Sequence, residues 1–107
     1  MKRVAARGLP AAPIDAQAAF AARYQPVIVA ALGDGADVFI EVDAADHAHG
    51  EWRRAAVAML ARAHAPARVV MVAGDAGAAV EEVLAYAAAA PGVTGQYLEC
   101  ANDFRPV

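Results

Sequence analysis

The densest group of side chains able to do chemistry lies between residues 43 and 51: Asp43, Asp46, His47, His49 and Glu51. Imidazole nitrogens and carboxylate oxygens are the ligands that divalent transition metals accept. His47 and His49 are therefore the candidate metal ligands, with Asp43, Asp46 or Glu51 to complete a set. His-x-His alone is a loose spacing, and Asp46 has a second reading as a helix cap in a solvated loop. A second group is Gly74-Asp75-Ala76-Gly77, where a glycine-bearing turn between a strand and a helix can hold a phosphate on the free N–H groups of the helix. A tight strand-to-helix connection needs the same glycines, and Asp75 would repel an anion while capping the helix. The ligand-binding candidates are thus Asp43, Asp46, His47, His49, Gly74, Asp75 and Gly77.

Two absences narrow the chemistry. The chain has no serine, and its single lysine is Lys2. Serine nucleophiles, Schiff-base lysines away from the N-terminus and the Lys-Ser/Thr pair of a phosphate-binding loop are all excluded. Cys100 is the lone cysteine; it cannot form an internal disulfide, fits a reducing compartment, and has no adjacent histidine or basic pair to activate it. Trp52, the only tryptophan, sits at helical spacing with Met59 and Leu60 and reads as a core anchor. Arg53, Arg54 and Arg62 fall off that stripe and read as a solvated helix face, with binding to an acidic partner as the other reading.

These residues must be positioned by alternating strands and helices. Lys2 to Ala6 makes a short first strand, followed by a Pro/Gly loop. Asp15 is placed to cap a helix that runs through Phe20 and Tyr24, and Pro26 kinks it or starts a further helical stretch ending at Gly33-Asp34-Gly35. Val38 to Val42 is a near-continuous β-branched and apolar run, which suits a buried parallel strand. Trp52, Ala56, Met59, Leu60 and Ala63 recur with helical period from about Gly50 to His64, and Pro66 ends that helix. Arg68 to Val72 is the next strand. A third helix spans about Ala78 to Ala90, with Val80, Val83, Leu84 and Ala87 inward, and Gln96 to Cys100 is the last strand. Residues 101–107 read as a loose tail. Strand–helix alternation with short connections predicts right-handed crossovers and a small α/β parallel sheet of three to four strands flanked by helices, in a single domain over residues 1–107.

Composition bounds the partners. In 107 residues, 60% are apolar and the mean hydropathy is +0.35; much of this is alanine, which fills little volume. A core this short is expected to be completed against a second copy, so a homodimer is expected, with Tyr86, Tyr97 and Leu98 as interface anchors near the last helix and strand. A protein partner is a further expectation. The net charge of −3 argues against a nucleic-acid footprint. The apolar runs are too short for a membrane span, and Arg7, Pro10, Pro13 and Asp15 interrupt any signal-peptide core. A cytoplasmic location is expected.

The final segment, Val93-Thr94-Gly95-Gln96-Tyr97-Leu98-Glu99, following an amphipathic helix, resembles the C-terminal end of short-chain dehydrogenases/reductases. Asp37-Val38-Phe39-Ile40 resembles that family's "DVLVNNAG" strand, and Ala67 to Val72 its "GRIVNIS" strand. The resemblance implies a Rossmann-like fold, with Thr94-Gly95-Gln96 shaping the turn into the last strand and the C-terminal region contributing to subunit contacts. It does not carry the activity over. Glu41-Val42-Asp43-Ala44 replaces the Asn-Asn-Ala-Gly segment that lines the cofactor pocket, and Ala73 and Gly74 stand where the catalytic serine belongs. No Tyr-x-x-x-Lys and no Gly-x-x-x-Gly-x-Gly fingerprint occurs, and Glu99-Cys100-Ala101 replaces Val-Asp-Gly-Gly. The expected function is therefore that of a non-catalytic, self-associating domain without a cofactor, in a structural, regulatory or partner-binding role. The alternative is a small-ligand or metal-binding domain using the Asp43–Glu51 loop; residual nucleotide binding without redox chemistry is a third.

Overall fold

The computed structural model describes residues 1–100, and the expected tail at residues 101–107 lies outside them. A four-stranded parallel sheet carries strands in the order β1 (Lys2–Ala5), β2 (Val38–Val42), β3 (Val69–Ala73), β4 (Tyr97–Glu99). The connecting helices are α1 (Pro13–Arg23) and α2 (Gln25–Gly33), then α3 (Gly50–His64), then α4 (Ala78–Ala89), with a short 3-10 turn at His47–His49. The sheet is the α/β parallel arrangement expected, with four α-helices where three were counted, because the chain breaks at Tyr24 and Pro26 opens α2 from its first turn, where its missing N–H costs nothing.

One cap differs from expectation. Helix α1 starts at Pro13 with Ala12 as its N-cap and no side-chain cap bond; Asp15 sits inside the first turn, where its charge favours the positive end of the helix dipole. The backbone N–H is not needed at Pro13, so proline nucleates the turn three residues earlier than an aspartate cap would.

Register and alternation sort the core onto two faces. Val4, Ile40 and Met71 are cross-strand partners and belong to the cluster built with Phe20, Ile28, Leu32, Trp52, Val57 and Leu60 of α1, α2 and α3. Phe39, Val70 and Val72 point the other way and pack with Val80, Leu84 and Ala87 of α4. The strands advance across the sheet in one direction while α4 lies on the opposite face from α3, so these two crossovers have opposite hands. The uniform right-handedness expected from the alternation therefore does not hold for both. Its physical cause is coverage: three helices already occupy one face, and α4 is the only helix among the described residues left to shield Phe39, Val70 and Val72, all fully buried.

Helix α3 is rotated relative to its expected stripe. Trp52, Val57 and Leu60 are buried together with Arg53, which is 3% exposed, whereas Met59 is 55% exposed. The i, i+4, i+7 pattern ran through several alanines that tolerate either environment. It therefore left the helix's rotation open.

Candidate functional site

Ligands of open parallel sheets lie beyond the carboxyl ends of the strands, and here that edge is filled by charged side chains. Successive residues of a strand point to opposite faces. Arg3 and, just past β1, Arg7 thus fall on the α4 face with Glu41 and Asp43. Glu41 is buried in the middle of β2. Arg3 holds it with a bidentate pair, Nε donating to Oε2 at 2.8 Å and Nη2 to Oε1 at 3.1 Å. The same guanidinium donates to Glu81 of α4 at 3.1 and 2.7 Å, so a charged bridge covers the part of this face that α4 does not reach. Glu41, then Glu81, raise the Arg3 pKa, and Arg3 holds the Glu81 carboxyl below its ordinary range.

Arg7 lies across the edge. Its Nη1 donates to Asp43 Oδ1 at 2.9 Å and to the Gly74 carbonyl at 2.8 Å, so one side chain spans from the end of β1, over β2, to the end of β3. Nη2 sits 3.7 Å from Glu41 Oε1 and makes no hydrogen bond among the described residues. Asp43 also accepts from the Gly8 N–H at 2.9 Å. That bond foremost, with Arg7 and Arg53 adding to it, depresses the Asp43 pKa.

Arg53 enters from α3. Its Nη1 donates to the Asp43 carbonyl at 2.9 Å and to the Tyr97 hydroxyl at 3.0 Å, and its Cζ lies 5.7 and 5.8 Å from the Trp52 and Tyr97 ring centres. It is a tether between β2, α3 and β4, which corrects its placement on a solvated face; Arg54 and Arg62 are exposed as expected.

The sequence candidates separate. Asp46 accepts from the Ala48 N–H at 3.1 Å and caps the 3-10 turn. His47 is exposed, whereas His49 is buried. The Trp52 indole, a donor only, donates to His49 Nδ1 at 3.1 Å, so the ring proton is assigned to Nε2, which donates to the Ala11 carbonyl at 2.9 Å. Both nitrogens of His49 are thereby engaged. Among the described residues, no three His, Cys, Asp or Glu side chains gather where a metal ion could be held.

Gly74 is buried, and a Cβ there would stand 2.9 Å from Cys100 Cβ and 3.1 Å from Val80 Cγ2; the glycine lets α4 and β4 close onto β3. Gly77 has φ +151°, a conformation L side chains rarely adopt, and it serves as the α4 N-cap without a side-chain bond. Asp75 is exposed and does not cap the helix.

The anchors expected at a subunit contact also separate. Tyr97 and Leu98 point to opposite faces of β4, Tyr97 toward Arg53 and Leu98 toward the α4 cluster, and Tyr86 is 61% exposed. Burial raises the Cys100 thiol's pKa, in keeping with a packed, unactivated thiol. No helix among the described residues is long and apolar enough to cross a membrane.

The residues that organise this edge and were not singled out from the sequence are Arg3, Arg7, Glu41 and Arg53. A signal existed for the first three: an acid inside the apolar run Val38–Val42 demands a cation, and the basic residues of β1 supply it at strand spacing.

Neither a curated protein nor a solved structure matches the chain. A family model described as SDR-like, short chain dehydrogenase-like protein, matches residues 4–100. The match spans every strand but the first two residues of β1, in keeping with the parallel sheet and with the resemblance carried by Val93 to Glu99. The chain belongs to the short chain dehydrogenase-like family.

Proposed function

We propose that this protein is a non-catalytic member of its family that works by association, with a second copy of itself or with a protein partner, in a structural or regulatory role. The observation that carries this reading is the Arg7 side chain laid across the carboxyl edge from β1 to the Gly74 carbonyl. A nicotinamide dinucleotide, the cofactor the family implies, does not fit this edge. Its pyrophosphate would need the close backbone approach of a glycine-rich turn at a helix N-terminus. Here Arg7 is committed to Asp43 and Gly74, and two carboxylates, Glu41 and Asp43, stand beside it. The chain has no serine and no lysine beyond Lys2, so a carbonyl substrate would find neither the serine hydroxyl nor the lysine ammonium that the family's chemistry uses. The test is spectrophotometric. With NADH or NADPH and a panel of aldehydes and ketones, the rate should equal that of buffer, and turnover proportional to protein concentration would overturn the reading.

One observation favours a second reading, a small anion held near the Asp43–Glu51 loop. Buried Arg53 has an Nε without a partner among the described residues, and it borders a recess lined by Ala6, Leu9, Pro10, Asp43 and His49. Phosphate or sulfate raising the melting temperature of the protein, and failing to raise that of Arg53→Met, would support it.

A further inference from the structure

Strand β1 is an outer strand of the sheet, and among the described residues only β2 pairs with it. The Lys2 N–H donates to the Asp37 carbonyl at 2.8 Å and the Ala6 N–H to the Glu41 carbonyl at 2.7 Å. Successive backbone groups of a strand alternate in direction, so those of Arg3 and Ala5 point away from β2, and both residues are exposed. Charged side chains often guard such an edge. Here the Arg3 guanidinium is drawn over the sheet to Glu41 and Glu81, which leaves its own N–H and carbonyl open. Helix α2 beside this edge is also bare. It carries no charged side chain from Gln25 to Gly33, yet only Ile28 and Leu32 are buried. A helix without a polar face is normally covered on all sides. Val27, Ala30 and Ala31 fall at i, i+3 and i+4 on one face, and with Pro26 and Ala36 they wall an apolar groove of about 560 Å³ that reaches Lys2 of β1. Val27 is 48% exposed.

An open strand edge beside a bare helix calls for one partner that covers both, and β1 has the form to pair with itself. Laying a second β1 antiparallel, with Arg3 opposite the partner subunit's Ala5, joins every outward N–H and carbonyl of these two residues in both copies. Val4 then meets the partner subunit's Val4 on the two-fold axis, in the closer, non-hydrogen-bonded kind of pair. Charge selects this register. Shifting it one way sets Arg3 on the partner subunit's Arg3, and shifting it the other way sets Arg3 on the partner subunit's Arg7, and like charges directly opposite are destabilising. The axis is perpendicular to the sheet, so α2 and its counterpart come to lie on the same face and run antiparallel. With no charges on either and alanine at positions 30 and 31, they can approach to the usual helix spacing of about 8–10 Å. We infer that β1 and the α2 groove form a symmetric interface with a second copy of this chain, in which two β1 strands pair antiparallel and extend the sheet across both molecules. This rests on the association reading above and assigns it a surface, away from Tyr86, Tyr97 and Leu98.

Sedimentation equilibrium and amide exchange on the full chain test it. The wild type should sediment as a dimer of twice the 11.0 kDa chain mass. Ala5→Pro removes an N–H that β2 does not use, a change an edge strand accepts, and should weaken the dimer by at least about tenfold. Ala5→Ser keeps that N–H and should stay within about threefold of the wild type. Val27→Glu, which puts a charge on the bare side of α2, should also weaken the dimer by at least about tenfold, whereas Tyr86→Asp should leave it unchanged. All these positions are exposed, and an unchanged circular dichroism spectrum verifies that each variant is folded. In the concentrated wild type the Arg3 and Ala5 amides should be protected from exchange; in Val27→Glu they should lose that protection while Ala6, bonded to Glu41, keeps it. A wild type that stays monomeric at high micromolar concentration overturns the inference together with self-association. A dimer indifferent to Ala5→Pro, lost in Tyr86→Asp, or with freely exchanging Arg3 and Ala5 amides overturns this surface and leaves association standing.

Discussion

Glu41 shows how one residue sets the chemistry of the edge. A carboxylate inside a parallel strand is costly unless it is paired and fully bonded, and Arg3 and Arg7 are the groups that pair it. Glu41→Ala leaves two guanidinium groups without their buried anion. Because Arg3 remains 46% exposed and water can re-solvate it, the cost should be about 1–3 kcal/mol in urea unfolding, below the value for a fully buried pair. Tyr97→Phe removes the acceptor for Arg53 and should cost about 1 kcal/mol without altering the fold. Acid provides a third test. Asp43 is held below its ordinary pKa of 3.8 chiefly by the Gly8 N–H, and Asp37 likewise by the backbone N–H of Arg68. A depressed carboxylate binds its proton more readily in the unfolded chain, so its stabilisation is present above the unfolded pKa and lost as pH falls through the folded one. Stability should therefore be flat through neutral pH and decline below about pH 4, and Asp43→Asn should flatten that decline.

Among the elements, α4 and β4 form the thinnest part of the described molecule. Helix α4 is the one helix among the described residues on its face of the sheet, and β4 is a three-residue edge strand. Arg68 secures the far end: its Nη1 donates to the Ala87 and Ala90 carbonyls at 3.0 and 2.9 Å, satisfying C-terminal acceptors that α4 cannot. Leu84→Ala should cost about 2–4 kcal/mol, and Gly74→Ala about 1–3 kcal/mol, since its methyl would meet the Cys100 and Val80 side chains. Amide exchange should place α4 and β4 among the first regions to open, ahead of β2 and β3. Much of this layout was legible beforehand. The β-branched runs at Val38–Val42 and Val69–Val72 admit few readings other than buried strands, and Pro66 and Pro91-Gly92 mark the helix ends. The rotation of α3 was not legible, because alanine at positions 55, 56, 58, 61 and 63 removes the contrast on which periodicity depends. The side taken by α4 was hidden as well, since handedness depends on which face the earlier helices have left bare. Arg53 was read as solvated because a cation's burial depends on partners, the Asp43 carbonyl and Tyr97, that are distant in sequence.

At the scale of the whole molecule, the protein belongs to the short chain dehydrogenase-like family, has a four-stranded parallel sheet, and places ion pairs along the carboxyl edge of that sheet. The polar edge binds the molecule together, with Arg7 joining three strands and Arg53 joining two strands to α3. Apart from Met1, the large exposed apolar side chains lie elsewhere, on the helices, Ile14, Met59 and Tyr86 foremost. Self-association and nucleotide binding are separate questions, so a dimer would not by itself decide whether a cofactor binds. The most direct measurement is a calorimetric titration of the folded protein with NADH and with NADPH. The account predicts heats that match dilution into buffer, with no saturation by either nucleotide. A saturable one-to-one isotherm with a micromolar dissociation constant would contradict it.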